Sequence, residues 1–242
     1  MNTIKIDKQG VRMIAHRGVS GLETENTLAA FIAAGNRSYW GVETDVHVTA
    51  DGNLILIHDS NTARVADREM VVEESLFEDL RALRVKDRYH NDDLRGDLCL
   101  PSLEEYIRIC KKYEKEAILE LKEAFALEDI KKVIQVFRAE DYLDHVVFIS
   151  FCLQNLIYVR GLLPDCRAQY IMKKITETEF EAMKQYRLDL DMDCRKMALT
   201  REWIDRMHGE GLRVNGWTVD NAADAQTLIS WGIDYITTNI LE

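Results

Sequence analysis

Short apolar segments of strand length alternate with longer segments of helical periodicity along most of the 242-residue chain. This order is typical of repeated strand–helix units around a parallel sheet. Eight such units predict an α/β fold, the (β/α)8 or TIM barrel. The predicted strands are Val11–Ala15, Gly41–Val46, Ala117–Leu121, Val146–Ser150, Arg167–Ile171, Leu188–Met192, Leu212–Thr218 and Asp234–Thr237. The predicted helices lie near Thr27–Asn36, Leu103–Glu114, Leu127–Ala139, Leu153–Gly161, Glu177–Tyr186, Arg201–Gly209 and Ala222–Trp231.

One charged segment, from Ser60 to about Leu100, interrupts this alternation. It contains a helical pattern near Ser75–Leu83 and a very polar run around Asp87–Asp97. A connection this long is usually a functional insertion or lid, and here it would lie over the C-terminal mouth of the barrel. A solvated excursion without a role is an equal alternative. We therefore predict one barrel domain over residues 1–242, with a small insertion at about 60–100 after the second strand hairpin.

The composition restricts the partners and the compartment. A net charge of −11 argues against a nucleic-acid partner, because such binding needs a clustered basic surface. The five cysteines are scattered without a CxxC pair, which favours reduced thiols over disulfides or a zinc site. No segment resembles a signal peptide or a membrane span. We expect a small-molecule substrate and a cytoplasmic location, while the oligomeric state stays open.

Acidic side chains gather at the predicted C-terminal ends of two strands. Glu43 and Asp45 are two residues apart, so both point to one face of their strand. Glu120 ends the third strand, and Lys122 shares its parity. Three carboxylates at one barrel mouth would repel one another unless a cation joined them. Oxygen ligands without histidine or thiolate predict one divalent metal ion, Mg²⁺ or Ca²⁺.

Two histidines end apolar runs beside these carboxylates. His16 follows the first strand, and His58 lies beyond the turn at Asp51-Gly52. If those two turn residues are central in a tight hairpin, Asp45 and His58 face each other across it. Because histidine titrates near neutral pH, His16 and His58 are predicted as a general acid–base pair. His47 shares the parity of the carboxylates, but we expect it at the rim.

Further polar and aromatic residues complete a metal-assisted phosphoryl-transfer site. Arg17 offers a fork for two phosphate oxygens, and Lys122 offers a point charge. Trp217 ends the seventh strand as a wall for an apolar or polyol group, with buried packing as an equal alternative. The segment Glu25–Thr27 caps the first helix and also aims amide groups at the barrel mouth.

Nine short motifs follow one another along nearly the whole chain. They are I-A-H-R-G (Ile14–Gly18), E-N-T (Glu25–Thr27), E-T-D-V (Glu43–Val46), T-A-D-G (Thr49–Gly52), I-H-D (Ile57–Asp59), L-P-S-L-E-E (Leu100–Glu105), E-L-K (Glu120–Lys122), S-F (Ser150–Phe151) and W-T-V (Trp217–Val219). In this order and combination, the chain resembles the glycerophosphodiester phosphodiesterase family. That family has a (β/α)8 barrel with a small insertion after the H-D motif.

The resemblance implies an enzyme that hydrolyses glycerophosphodiesters to sn-glycerol 3-phosphate and an alcohol. It also implies that the adjacent glycerol hydroxyl attacks first, giving a cyclic phosphate that water then opens. The implied roles are metal ligation by Glu43, Asp45 and Glu120, acid–base catalysis by His16 and His58, and phosphate binding by Arg17 and Lys122.

The chain departs from the family pattern in three places. Thr24 stands where proline usually precedes E-N-T, and Ser60–Asp67 lacks the usual arginine-threonine-threonine after H-D. Ile236–Asn239 replaces a threonine-aspartate ending and lacks its proline. Thr24 is expected to give a slightly looser helix start, and the contacts of the insertion stay open. We expect the C-terminal change to affect the last loop but to spare every predicted catalytic position.

Two other functions fit the same motifs. The nearer is a related barrel phosphodiesterase that acts on lysophospholipids or sphingolipids through an apolar entrance. The farther is a barrel that binds a phosphorylated ligand without catalysis, whose signature would be a lost histidine or carboxylate. None of these residues is missing from the sequence.

Overall fold

Eight parallel strands close into a barrel, as the sequence predicts. The computed structural model describes residues 2–87, 93–195 and 199–242, so His90 and the centre of the polar run at 87–97 lie outside it. The strands are β1 (Arg12–Ala15), β2 (Gly41–Val48), β3 (Leu54–Leu56), β4 (Lys86–Asp87), β5 (Asp93–Leu94), β6 (Glu116–Leu121), β7 (Val146–Ser150), β8 (Arg167–Met172), β9 (Asp189–Asp193), β10 (Val214–Trp217) and β11 (Tyr235–Thr238). Barrel pairing runs β1-β2-β6-β7-β8-β9-β10-β11 and returns to β1, while β3 pairs antiparallel with β2.

Helices surround the barrel with their apolar faces toward the strands. The helices are α1 (Leu28–Gly35), α2 (Phe77–Arg81), α3 (Leu103–Lys112), α4 (Leu127–Ala139), α5 (Leu153–Leu162), α6 (Glu177–Tyr186), α7 (Arg201–Gly209) and α8 (Ala222–Ser230). In α4, Ile130, Val133, Ile134 and Phe137 are buried at the helical spacing that the sequence displays. Within the described ranges, no helix is both long enough and apolar enough to cross a bilayer.

The interior of the barrel is filled by side chains and leaves space only at its ends. An apolar cluster inside it contains Ile14, Ile118, Val147, Ile149, Ile171 and Tyr235. Fully burying a side chain of this size contributes roughly 1.5–3 kcal/mol, so the cluster is a substantial part of the core. The C-terminal strand ends above it carry the polar residues that the sequence analysis selects, and the core therefore forms a floor for the site.

The β2–β3 hairpin differs by one residue from the predicted register. Asp45 faces Ile57, whose amide donates to the Asp45 carbonyl at 3.1 Å, and the predicted pairing of Asp45 with His58 is wrong. The connecting loop has three residues between Thr49 and Asn53, and Gly52 adopts a φ of +71°. An Asp-Gly pair fits this loop as well as a two-residue turn, because glycine can supply the left-handed residue in either.

The insertion packs around a small core of its own. Its buried apolar residues include Val65, Val72, Leu80 and Leu98, which contact Ile57 at the end of the hairpin. This packing argues against a purely solvated excursion for the part of the insertion that the structure describes.

His47 lies under the insertion and not at the rim. Its side chain is completely buried, with Nε2 3.5 Å from the His58 carbonyl oxygen and Nδ1 3.8 Å from Glu73. The rim prediction is therefore wrong, because the insertion covers the end of β2.

Candidate active site

The C-terminal strand ends surround a cavity of about 360 Å³. Asp45 is buried beside it and contacts two of the cations at its wall. The other seven predicted site residues line it: His16, Arg17, Glu43, His58, Glu120, Lys122 and Trp217. The structure thus brings together residues that are up to about 200 positions apart in the sequence.

Three carboxylates form the acidic wall of this cavity. Each of Glu43, Asp45 and Glu120 offers an oxygen within 4.8 Å of the others. The register explains this closeness, because Asp45 of β2 lies directly beside Glu120 of β6 and Glu43 is two residues earlier on β2. Lys122 reaches both strands, with Nζ 2.9 Å from Glu120 Oε1 and 3.4 Å from Asp45 Oδ1.

The three carboxyl groups differ in pKa because of burial and of the charges around them. Burial, with the charges of Asp45 and Glu120, raises the pKa of Glu43 well above its usual range. Burial, with the charge of Asp45, raises the pKa of Glu120 to about 7. For Asp45 burial acts in the same direction, but Lys122 and Arg17 outweigh it and hold the pKa below its usual value. A divalent cation would relieve the repulsion that holds protons on the first two.

The loop after β1 turns sharply toward the acidic wall. Arg17 and Gly18 have φ values of +52° and +76°, and a Cβ on Gly18 would lie 2.6 Å from the Ala30 Cβ. Only glycine fits this approach without displacing helix α1. The turn aims the Arg17 amide at Glu43 Oε2, 2.7 Å away. The Arg17 side chain lies beside Asp45, with Nε 3.6 Å from Oδ2.

The E-N-T motif supports the acidic wall as well as capping α1. Asn26 donates from Nδ2 to Asp45 Oδ2 at 2.8 Å and accepts from Thr44 Oγ1 at 2.7 Å. Thr27 caps the helix by accepting from the Ala30 amide. The cap and the orientation of Asp45 are therefore set by adjacent residues.

A chain of charged contacts links the insertion to both sides of the site. His58 Nδ1 lies 2.6 Å from Asp59 Oδ1, and Arg64 donates from Nε to Asp59 Oδ2 at 2.6 Å. The Arg64 fork also donates to both oxygens of Glu25, at 2.8 and 2.9 Å. Glu25 accepts from Arg17 at 2.8 Å. The sequence analysis missed Arg64, although an arginine six residues after a catalytic candidate is a recognisable signal.

Asn239, near the C-terminal end of the sequence, holds the ring of His16. Its Nδ1 lies 2.7 Å from Asn239 Oδ1, which also accepts from Ser20 at 2.6 Å. Asn239 donates from Nδ2 to Asp220 at 2.6 Å. The C-terminal segment that departs from the family pattern therefore contacts His16, because β11 pairs with β1 and brings Asn239 to it.

Both histidines are shifted toward the neutral form. Removal from water, with the nearby Arg17 charge, lowers the pKa of His16 to about 4. Removal from water also lowers the pKa of His58, although Asp45 and Asp59 oppose the shift. Neutral imidazole can accept a proton, so either ring can begin a reaction as a base.

Aromatic rings and cations form the outer part of the cavity. Trp217 lines it, which favours the wall over buried packing, and its ring meets Phe151 edge to face with centroids 5.8 Å apart. Arg195 lies 5.1 Å from the Trp217 centroid, and Lys173 lies 6.0 Å from that of Phe151. The sequence analysis assigned no role to Lys173 or Arg195, which follow β8 and β9 at strand ends.

Asp191 of β9 is a further cavity residue that the sequence analysis missed. Its side chain is only 2% exposed, and burial, with the charge of Glu120, raises its pKa well above the usual range. The alternation of Asp189, Asp191 and Asp193 is the signal that could have indicated it. It has the same two-residue spacing as Glu43 and Asp45.

The sequence profile of the glycerophosphoryl diester phosphodiesterase family matches residues 16–242. The chain belongs to this family. Membership confirms the resemblance and the prediction that the chain is an enzyme of the phosphodiesterase class. A glycerophosphodiester phosphodiesterase from Caldanaerobacter subterraneus is 25% identical over 234 residues, which cover 94% of this chain and 93% of that protein.

Solved structures of this family share the barrel. A phosphodiesterase from Oleispira antarctica, in complex with the product sn-glycerol-3-phosphate, gives a TM-score of 0.85 at 24% identity and covers 94% of this chain and 92% of that one. A glycerophosphodiester phosphodiesterase from Thermotoga maritima gives 0.78 at 22% identity and covers 95% and 94%. These similarities confirm the predicted (β/α)8 fold.

Proposed function

We propose that this enzyme hydrolyses glycerophosphodiesters to sn-glycerol 3-phosphate and an alcohol, with a divalent metal ion and two histidines. The observation that carries the proposal is the cavity itself. Three carboxylates, two cations and two histidines surround or adjoin one space of about 360 Å³. Such a space holds a small phosphodiester.

The acidic wall fits a hard divalent cation. Its donors are carboxylate oxygens, and Asp45 Oδ1 and Glu120 Oε1 are buried without a well-directed hydrogen bond from any described residue. Mg²⁺ and Ca²⁺ both prefer oxygen ligands. Glu43, Asp45 and Glu120 would hold the ion. When bound, it supplies positive charge to a phosphate oxygen and lowers the pKa of a hydroxyl group.

Arg17 and Lys122 stand on either side of the acidic wall and would bind the phosphate oxygens. Arg17 is fixed by Glu25 and Lys122 by Glu120, so both cations are positioned before substrate arrives. Preorganised charge of this kind stabilises the developing negative charge of the transition state without further reorganisation.

The two histidines are held by opposite networks and would share the proton transfers. With Nδ1 bound to Asn239 or Asp59, each ring keeps Nε2 for the substrate. The reaction starts with one ring neutral and the other protonated at Nε2, a state that the negative charge of a bound diester favours. The neutral ring takes the proton of the adjacent glycerol hydroxyl as its oxygen attacks phosphorus, and the protonated ring gives its Nε2 proton to the departing alkoxide. Water then opens the cyclic phosphate with the two roles reversed, which restores both rings.

A substrate panel tests the proposal directly. Purified protein is incubated with glycerophosphodiesters of different alcohols, in Mg²⁺ and in Ca²⁺, and sn-glycerol 3-phosphate is measured. We expect release from at least one diester in at least one metal. Absence of release from all of them would refute the proposed function.

The cavity entrance favours small diesters over lysolipids. Lys173 and Arg195 lie against its aromatic rings, so two positive charges border this side of the mouth. We therefore expect glycerophosphocholine to be hydrolysed faster than a long-chain lysophosphatidylcholine. The reverse order would favour the lysolipid alternative, and binding of both without turnover would favour the non-catalytic one.

We also retain the cytoplasmic location as part of the proposal.

A further inference from the structure

Asp191 is a buried carboxyl group that faces the cavity with an unused oxygen. It lines the cavity and is 2% exposed, yet its Oδ1 has no hydrogen-bond partner among the described residues. Buried polar atoms are nearly always paired, and exceptions at a cavity wall mark positions where a ligand completes the pairing. Asp191 is therefore positioned to receive a polar group of the substrate.

No neighbouring side chain in the described part of the chain bonds to Asp191 Oδ1. Asn215 and Thr237 bond each other, with Asn215 Nδ2 2.9 Å from Thr237 Oγ1. Asn215 also interacts with the Asp191 carboxyl group, but Oδ1 stays unpaired. The interior side of β9, β10 and β11 is thus polar. Asn215 and Thr237 bond each other there, and Asp191 Oδ1 has no partner among the described residues.

The strand order places Asp191 across the cavity from the acidic wall. In the closed ring of eight strands, β9 is four strands from β2 in either direction. The group of carboxylates within 4.8 Å of one another contains Glu43, Asp45 and Glu120 and, in the described part of the chain, does not extend to Asp191. A substrate with its phosphate at the acidic wall would therefore reach Asp191 with another of its groups.

We propose that Asp191 binds the terminal hydroxyl of the substrate's glycerol group and thereby selects glycerol diesters over diesters of a diol that lacks this hydroxyl. This inference rests on the proposed function. The phosphate would lie at the acidic wall, and the glycerol hydroxyl next to it would lie beside a histidine. The terminal hydroxyl is then the remaining polar group of the glycerol, and it can extend across the cavity to Asp191. A hydroxyl donates well to a carboxyl oxygen, and this one is shielded from water.

The test compares glycerophosphocholine with 2-hydroxypropyl phosphocholine, which keeps the adjacent hydroxyl and lacks the terminal one. Choline release reports kcat/KM for both. We expect wild type to prefer glycerophosphocholine by roughly 10- to 100-fold, the usual discrimination when a buried polar group loses its partner. In Asp191→Leu the preference should fall to within about threefold of unity, and Asp191→Asn should retain part of it.

Asp189→Asn is the matched control, because Asp189 is a carboxyl on the same strand at the other end of the barrel, where Oδ1 accepts from the Arg213 amide. It should keep the wild-type preference. A purely structural role for Asp191 would lower activity on both substrates equally, and an unchanged preference in Asp191→Leu would overturn the proposal.

A second measurement does not need turnover. Calorimetric binding of sn-glycerol 3-phosphate and of 1,2-propanediol 1-phosphate gives the same comparison, and the more conservative Asp191→Asn replaces Asp191→Leu if the latter does not fold. Loss of the difference in affinity supports the proposal, and its persistence overturns it. If wild type releases choline from neither diester, the comparison uses the alcohol group that the substrate panel identifies, and only absence of release from every diester of that panel refutes the proposed function.

Discussion

Nδ1 of His16 lies 2.7 Å from Oδ1 of Asn239, a residue 223 positions later in the chain. This contact fixes the ring and, because an amide oxygen only accepts, places the ring proton on Nδ1. Asn239→Ala should therefore lower kcat by roughly 10- to 100-fold with little change in KM, since orientation is lost while substrate contacts remain. Steady-state kinetics and thermal unfolding test this, and an unchanged kcat in folded protein would contradict it.

Arg64 couples the insertion to side chains of the candidate active site. It bonds both Asp59, the partner of His58, and Glu25, the partner of Arg17. Arg64→Met keeps the length of the side chain but removes the fork. We expect kcat/KM to fall by roughly 10-fold or more, because a charge-assisted network loses its centre.

Arg68 offers a control for that experiment. It lies in the same insertion, and its side chain forms no ion pair with any residue that the structure describes, so Arg68→Met should retain wild-type kcat/KM. Equal effects of the two substitutions would show that the insertion matters only as a whole.

The carboxyl group of Asp189 should make the free energy of unfolding depend on pH. Burial, partly offset by its bond to the Arg213 amide, raises the pKa of Asp189 from 3.8 to about 6. The folded protein thus holds this proton more tightly than the unfolded chain does. Ionisation of Asp189 therefore lowers the free energy of unfolding as pH rises from 3.8 to about 6. The cost approaches at most about 3 kcal/mol above the folded pKa and vanishes below the unfolded one.

Asp189→Asn removes this titration while its amide oxygen can still accept from Arg213. Relative to wild type, the variant should become more stable as pH rises from about 4.5 to about 7.5. Urea unfolding at both pH values measures the difference, in which the other titrating groups cancel. A difference independent of pH would contradict the shift.

His16 and His58 should each be required for turnover. Alanine at either position is expected to lower kcat by roughly 10²- to 10⁴-fold, the usual contribution of a general acid or base. His145 is the control, because it is exposed beside Glu116 just before β7, at the N-terminal end of the strands and opposite the cavity. Near-normal turnover in both single variants would exclude the pairing.

The strand ends and their inward-facing residues could be predicted from sequence because both depend on local patterns. Two-residue parity places Glu43 and Asp45 on one face, and the alternation of elements places Glu120 on the next parallel strand. The hairpin register could not be fixed in this way. Asp51-Gly52 is compatible with two loop lengths that differ by one residue.

The remaining parts of the site depend on contacts distant in sequence. Asn239 reaches His16 only because the barrel closes between β11 and β1. Asp191 faces the acidic wall only because β9 is the fourth strand from β2 in either direction around the ring. His47 is buried only because the insertion folds back over β2. Local patterns carry no information about these distances, and tertiary packing decides them.

Turnover after complete removal of metal tests whether Glu43, Asp45 and Glu120 hold one divalent ion beside the two histidines. We expect kcat to fall by at least roughly 10²-fold, to return when Mg²⁺ or Ca²⁺ is added, and not to return in Glu120→Gln. Circular dichroism should show that the fold persists throughout. Unchanged turnover of the metal-free protein would show that the reaction needs no metal ion.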